Sequence, residues 1–167
     1  MLAIALLAFL CVSASANEIQ AKSSSYNGEY GGVQGKRFSH SGNQMEGPIT
    51  AIRVRADTYH IIGLQVRYGR VWSDPVGGTR GDLEEIFLHP GESVIQVSGK
   101  YKHCLRKLVF ITNMGRHLSF GGETGISFNA VPLHPNSVLR YISGRANNYI
   151  TAIGLHWATN PSNHNNC

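Results

Sequence analysis

His103-Cys104 sets a base beside a thiol, the arrangement from which a nucleophilic cysteine is built. Neighbours along a strand point to opposite faces, so this pair cannot meet if the segment is extended. No Gly-x-Ser-x-Gly elbow offers a hydroxyl instead. Acid–base chemistry needs facing carboxylates. The chain has ten, and the one cluster, Asp82-Leu-Glu-Glu85, sends Glu84 and Glu85 to opposite faces of a strand and reads as a solvated edge. Eight histidines are scattered without a His-Glu-x-x-His pattern or paired ligand spacing. No catalytic constellation, metal site or cofactor is expected, and the chain reads as a non-enzymatic protein.

The elements that carry these residues repeat. Ile150, Ile153, Leu155 and Trp157 stand at spacings of zero, three, five and seven, as do Leu105, Leu108, Phe110 and Thr112, and Ile61, Leu64, Val66 and Tyr68. Positions three, five and seven alternate with the period of a half-buried strand, and the step of three before them predicts a bulge at the strand entrance. The match extends upstream, where Leu88-His-Pro-Gly-Glu-Ser93 resembles Leu133-His-Pro-Asn-Ser137. Each copy is therefore a multi-strand unit in a threefold array. With 19 glycines and no sustained 3.6-residue periodicity, the composition predicts an all-β domain. Strands are expected over Thr50–Val54, Ile62–Tyr68, Glu84–Leu88, Val94–Val97, Leu105–Thr112, His117–Phe120, Val138–Ile142 and Ala152–Trp157.

Residues 1–16 read as a secretory signal: Leu2 to Val12 is apolar but too short to span a bilayer, and Ala14-Ser-Ala16 supplies the small residues of a cleavage site. The expected organisation is signal peptide 1–16, one domain 17–159 and a polar tail 160–167. Removal of Cys11 leaves Cys104 and Cys167, which could pair or stay separate. Proline disqualifies Asn160-Pro-Ser162 as a glycosylation site.

The net charge is +5. Lys36-Arg37 are adjacent, and Arg53 and Arg55, two apart, share one strand face. A secreted basic protein meets sulfated glycans, so these four are candidates for binding glycosaminoglycans or other polyanions. Aromatic residues do not interleave with them, which argues against nucleic acid.

Three β repeats behind a secretory signal, together with Gly31-Gly32, Lys36-Arg-Phe-Ser-His-Ser-Gly42, Gly47-Pro-Ile49, the run from Gly81 through His89-Pro-Gly91 to Tyr101, Ser127-Phe-Asn-Ala-Val-Pro-Leu-His-Pro-Asn136 and Ala152-Ile-Gly-Leu-His-Trp157, resemble the jacalin-related lectins. The resemblance implies a β-prism of three four-stranded antiparallel sheets with pseudo-threefold symmetry and a shallow sugar site at one end. It carries the site onto Gly31 and Gly32, onto the loop around Lys102, and onto Asn147, Asn148, Tyr149 and Thr151. It further implies glycan partners (mannose-type, sulfated and bacterial cell-wall), peripheral attachment to membranes through glycans, and a place in secretory granules and the extracellular space.

The last segment departs from the family pattern Gly-x-x-x-Asp, with Asn147 for the glycine and Thr151 for the aspartate. A carboxylate accepts two strong hydrogen bonds from adjacent sugar hydroxyls, and threonine offers one rotatable hydroxyl. Binding at a millimolar Kd is worth about 4 kcal/mol, and a hydrogen bond to a charged group contributes roughly 1.5–3 kcal/mol. The exchange thus weakens mannose binding and moves the expected affinity to the basic face. The alternative is a non-catalytic interaction module whose sugar pocket has decayed.

Overall fold

The computed structural model describes residues 22–159. The signal segment, the polar tail and Cys167 lie outside the described residues, and with them the Cys104–Cys167 pairing. Among the described residues, thirteen antiparallel strands, numbered in chain order, form three walls that follow the repeats. Wall one orders β4 (Ile61–Tyr68), β3 (Ile49–Ala56) and β7 (Asp82–Phe87), with two short strands, β5 (Val71–Trp72) and β6 (Val76–Gly77), sharing the outer edge of β4. Wall two orders β10 (His117–Gly121), β9 (Leu105–Thr112), β8 (Val94–Tyr101) and β11 (Ile126–Ala130). Wall three orders β1 (Ser24–Gly31), β13 (Ile150–Thr159), β12 (Ser137–Ala146) and β2 (Lys36–Ser39). The all-β, threefold expectation holds; one wall differs in that its fourth strand is split in two.

The repeated apolar spacing is the core. Ile61, Leu64, Val66, Leu105, Leu108, Phe110, Ile150, Ile153 and Leu155 are none of them more than 2% exposed, and they join one cluster between the walls. Position seven of each copy is a buried residue with a polar handle, and an outlying segment satisfies it each time. Tyr68 Oη lies 2.9 Å from His40 Nδ1, Thr112 donates to Glu92 Oε1 at 2.7 Å, and Trp157 Nε1 donates to Asn27 Oδ1 at 2.7 Å. Left unpaired, each group would carry the desolvation cost of a lost hydrogen bond, about 1–3 kcal/mol. These bonds thus tie the outer segments to the core.

The step of three is a bulge in every copy. Arg55 pairs with Gly63 and Ala56 with Ile61, leaving Ile62 extra; Arg106 and Thr151 are the extra residues at the matching places on β9 and β13. The partner strands carry a second irregularity, at Thr50, Ile95 and Arg140. Each bulge turns the strand and increases its twist. Each extra residue's carbonyl then accepts a hydrogen bond from a glycine: Ile62 from Gly78, Arg106 from Gly122 and Thr151 from Gly32, at 2.8–2.9 Å.

Only glycine permits this. The preceding residues, Gly77, Gly121 and Gly31, have φ of 89°, 84° and 131°. A Cβ there would stand 2.1–2.2 Å from the same carbonyl oxygens. The chain supplies the motif Gly-Gly-x-x-Gly three times, at Gly31–Gly35, Gly77–Gly81 and Gly121–Gly125.

The expected strands are present as β3, β4, β7 to β10, β12 and β13. The additional ones are β1, β2, β5, β6 and β11. All lie at wall edges, where a strand meets a neighbour on one side only, so little alternation is left in its sequence.

His40 is 4% exposed, and burial holds its pKa down at about 4. Because the folded value lies below the ordinary one, the neutral ring contributes stability above about pH 6.5 that is lost as pH falls towards 4. The loss by pH 4.5 is about 2–3 kcal/mol. Urea midpoints at pH 7 and pH 4.5 read it, and His40→Gln should flatten that difference; an unchanged difference in the variant would assign the acid sensitivity elsewhere.

Candidate functional site

The three glycine motifs and the three turns between inner strands form a ring at one end of the prism. Gly32 of wall three lies against the His103 carbonyl in the β8–β9 turn of wall two, where an added Cβ would stand 2.3 Å from the oxygen. Gly78 of wall one abuts Asn148 of wall three, and Gly122 of wall two abuts Thr58 of wall one, at the same 2.3 Å. Each wall therefore leans on the next around the tip.

One joint of the ring opens into a cleft of about 320 Å³. Gly32, Val33 and Gln34 form one side, Asn147, Tyr149 and Thr151 the other, with His103 and Cys104 between them. The volume suits one or two sugar rings. Of the residues that the sequence singled out, the cleft brings together Gly32, Asn147, Tyr149 and Thr151. Gly31 lies behind it, packed on the Thr151 carbonyl and on Ala152. Lys102 and Asn148 are exposed at the rim and outside the lining. Val33 and Gln34 are additions, and their signal was the Gly-Gly-x-x-Gly recurrence, which marks them as the segment held between two fixed glycines; His103 and Cys104, dismissed as a catalytic pair, enter the lining from the loop around Lys102.

Local chemistry sets each wall of the cleft. Asn147 Oδ1 accepts from the Tyr149 N–H at 3.0 Å, and the Asn147 N–H donates to the Tyr149 carbonyl at 2.9 Å. This is an Asx turn, so asparagine closes the loop by side-chain bonding. Asp57 does the same in the β3–β4 turn, accepting from the N–H of Tyr59 and of His60. Tyr149 is braced by the His60 ring, centroids 4.9 Å apart, and by Arg80 Nη2, 3.4 Å from its hydroxyl. Arg145 steadies the opposite lip through the Val33 carbonyl at 3.1 Å and Glu29 at 3.4 Å.

Thr151 is 3% exposed and its hydroxyl donates to the Gln34 carbonyl at 2.5 Å. The floor of the cleft is thus neutral, and its hydroxyl proton is engaged. The backbone N–H groups of Val33, Gln34 and Asn148 donate to no acceptor among the described residues. Burial pushes the Cys104 thiol up, with nearby Arg106 acting in the opposite direction. A raised thiol pKa is the reverse of nucleophilic activation.

The structure divides the four basic candidates. Lys36 and Arg37 stand exposed on edge strand β2 of wall three and make no ion pair with a described residue. Arg53 and Arg55 lie on inner strand β3 of wall one. Arg53 pairs with Glu85, donates to Gln65 Oε1 at 3.1 Å and stacks on Trp72 at 3.9 Å; Arg55 donates to the Gly81 carbonyl at 3.3 Å.

Three sheets closed around one core, with a shallow cleft among glycine-held loops at the tip, define a β-prism lectin. The chain belongs to the jacalin-like lectin domain family, whose model matches residues 27–156. It is 72% identical to zymogen granule membrane protein 16 of Homo sapiens over 167 residues, covering 100% of both chains. The corresponding Rattus norvegicus protein is 71% identical with the same coverage. Among solved structures, a prostate-specific WGA16 glycoprotein lectin superposes with a TM-score of 0.70 at 37% identity, over 82% of this chain and 100% of that one.

Gly32→Ala tests the ring. The added methyl meets the backbone of His103, so the variant should lose about 1–3 kcal/mol, measured by urea unfolding. Gly42→Ala is the control, because nothing lies within 4 Å of its Cβ position.

Proposed function

We propose that this protein is a non-catalytic, secreted lectin that grips sulfated glycosaminoglycans at the prism tip, with Lys36 and Arg37 as the principal cations and Arg53 and Arg55 as secondary ones. The observation that carries this reading is the chemistry of the cleft. Its lip carries the Val33 and Gln34 N–H groups, which meet no acceptor among the described residues, and its most buried lining residue, Thr151, has a hydroxyl already committed to Gln34. A donor-rich site without a carboxylate suits anionic sugars better than the paired hydroxyls of a neutral hexose. Lys36 and Arg37 follow directly on the Gly31–Gly35 lip, so a chain seated in the cleft passes over them. Arg53 is already ion-paired with Glu85 and contributes less.

Mannose-type glycans are the weaker ligands, held by backbone donors and by stacking on Tyr149. The zymogen granule name of the full-length relatives supports a place in secretory granules, attached peripherally through glycans. Among the described residues no helix is long and apolar enough to cross a membrane.

Two measurements test this. On a heparin column, Lys36→Ala/Arg37→Ala should elute at clearly lower salt than the parent, and Arg53→Ala/Arg55→Ala should shift less; retention unmoved by the first pair would overturn the assignment. Titration of methyl α-mannoside into Thr151→Asp reads the pocket. A carboxylate cannot donate to the Gln34 carbonyl, so the lip is freed, and affinity should rise about tenfold or more.

A further inference from the structure

The outer face of wall one carries a groove of about 350 Å³ that reaches the Gly77–Gly78 part of the tip ring. Its floor is made by Gly63 of β4 and Gly77 of β6, which pair directly and present no side chains. The gap is inherent in the fold. An added Cβ at Gly63 would stand 2.7 Å from the Gly78 carbonyl oxygen, and one at Gly77 2.2 Å from the Ile62 oxygen, so side chains cannot fill it without moving the sheet. Arg53, Arg55 and Leu83 line one bank, and Pro75, Val76 and Thr79 the other.

The two guanidinium groups are held in place. Arg53 is fixed by Glu85, by Gln65 and by stacking on Trp72, and Arg55 is tethered to Gly81, which leaves N–H edges of both toward the groove. A planar cation whose orientation is set in advance loses little freedom when it meets an anion. The rest of the polar inventory is short. The Gln65 side chain is spent on Arg53 and on the Ser73 carbonyl at 2.8 Å, and among the described residues no carboxylate lines the groove. A hydroxyl-rich sugar would find donors at one bank and almost no side-chain acceptors, with hydrocarbon from Leu83, Val76 and Pro75 elsewhere.

From this pairing of fixed cations with an apolar, glycine-floored trough we propose that the outer groove of wall one binds a small amphipathic anion, an apolar ring or branched body that carries a sulfate, sulfonate or carboxylate. The acid group lies against Arg53 and Arg55, and the apolar body lies over Gly63 and Gly77 against Leu83 and Val76. The groove shares no lining residue with the wall-three cleft, but Arg53 and Arg55 are also the secondary cations of the glycan reading, so heparin should compete for it.

Titration of ¹⁵N-labelled protein with naphthalene-1-sulfonate, followed by amide shifts, tests it. Saturable shifts are expected at Gly63, Gly77 and Thr79, with inorganic sulfate and 1-naphthalenemethanol each binding about tenfold more weakly or worse, because each supplies only half of the match. Arg55→Gln and Leu83→Asp should each weaken binding about tenfold or more, with spectra otherwise unchanged, and Lys36→Ala/Arg37→Ala should bind as the parent does. Shifts confined to the tip loops, equal binding of the neutral alcohol, or undiminished affinity in both groove variants would overturn the proposal. A failure of the tip reading would appear on the heparin column and leave these shifts in place.

Discussion

Three backbone carbonyls, those of Ile62, Arg106 and Thr151, each accept a hydrogen bond from the second glycine of a Gly-Gly pair, and the prism is closed at its tip by these contacts. A strand bulge turns the carbonyl outward, and a residue without a side chain can come within bonding distance of it. Neither half suffices alone. The bulge without the glycine leaves a buried acceptor unpaired, and the glycine without the bulge has nothing to approach. Because the second glycine also rests on the neighbouring wall's turn, each contact joins two walls, and the three together hold the loops in fixed relation.

The scaffold repeats geometry without repeating chemistry. The bulge residue is apolar in wall one, cationic in wall two and a hydroxyl in wall three. The described cleft lies at the third, bounded by the Gly32–Gln34 lip and by the Asx turn of Asn147. Binding by such a site comes from donors positioned in advance on strand-anchored loops, which limits the ordering cost of a weak ligand. The same economy operates at the other polar points of the core, where Glu92 is held by Arg116 Nε and Nη2 and by Thr112. Those bonds, with Arg116 foremost, keep its carboxyl well below the usual range despite burial.

Sequence spacing carried more of this than composition did. The step of three between Ile150 and Ile153, shared with Leu105 and Leu108 and with Ile61 and Leu64, announces a bulge because a strand cannot alternate across an odd step without one. Edge strands such as Ser24–Gly31 and Lys36–Ser39 left little trace, since half of their backbone bonding and at least half of their side chains face water. Val33 and Gln34 have no chemical signature of their own. They matter through the carbonyl and N–H groups that the flanking glycines aim, and main-chain groups are identical in every sequence.

By itself the amino-acid order determined three equivalent walls, the residues that fill their common interior, the bulge in each, and a hydroxyl rather than a carboxylate at position 151, because period and residue type are local properties of the chain. Tertiary structure alone decided that the Thr151 hydroxyl turns to Gln34, that His103 and Cys104 border the cleft in place of Lys102, and that Lys36 and Arg37 stand on a different wall from Arg53 and Arg55. Those outcomes depend on which loops of separate walls meet, over separations of up to 117 positions in the Thr151–Gln34 bond. Such meetings are set by closure of the prism, to which no short stretch of sequence has access.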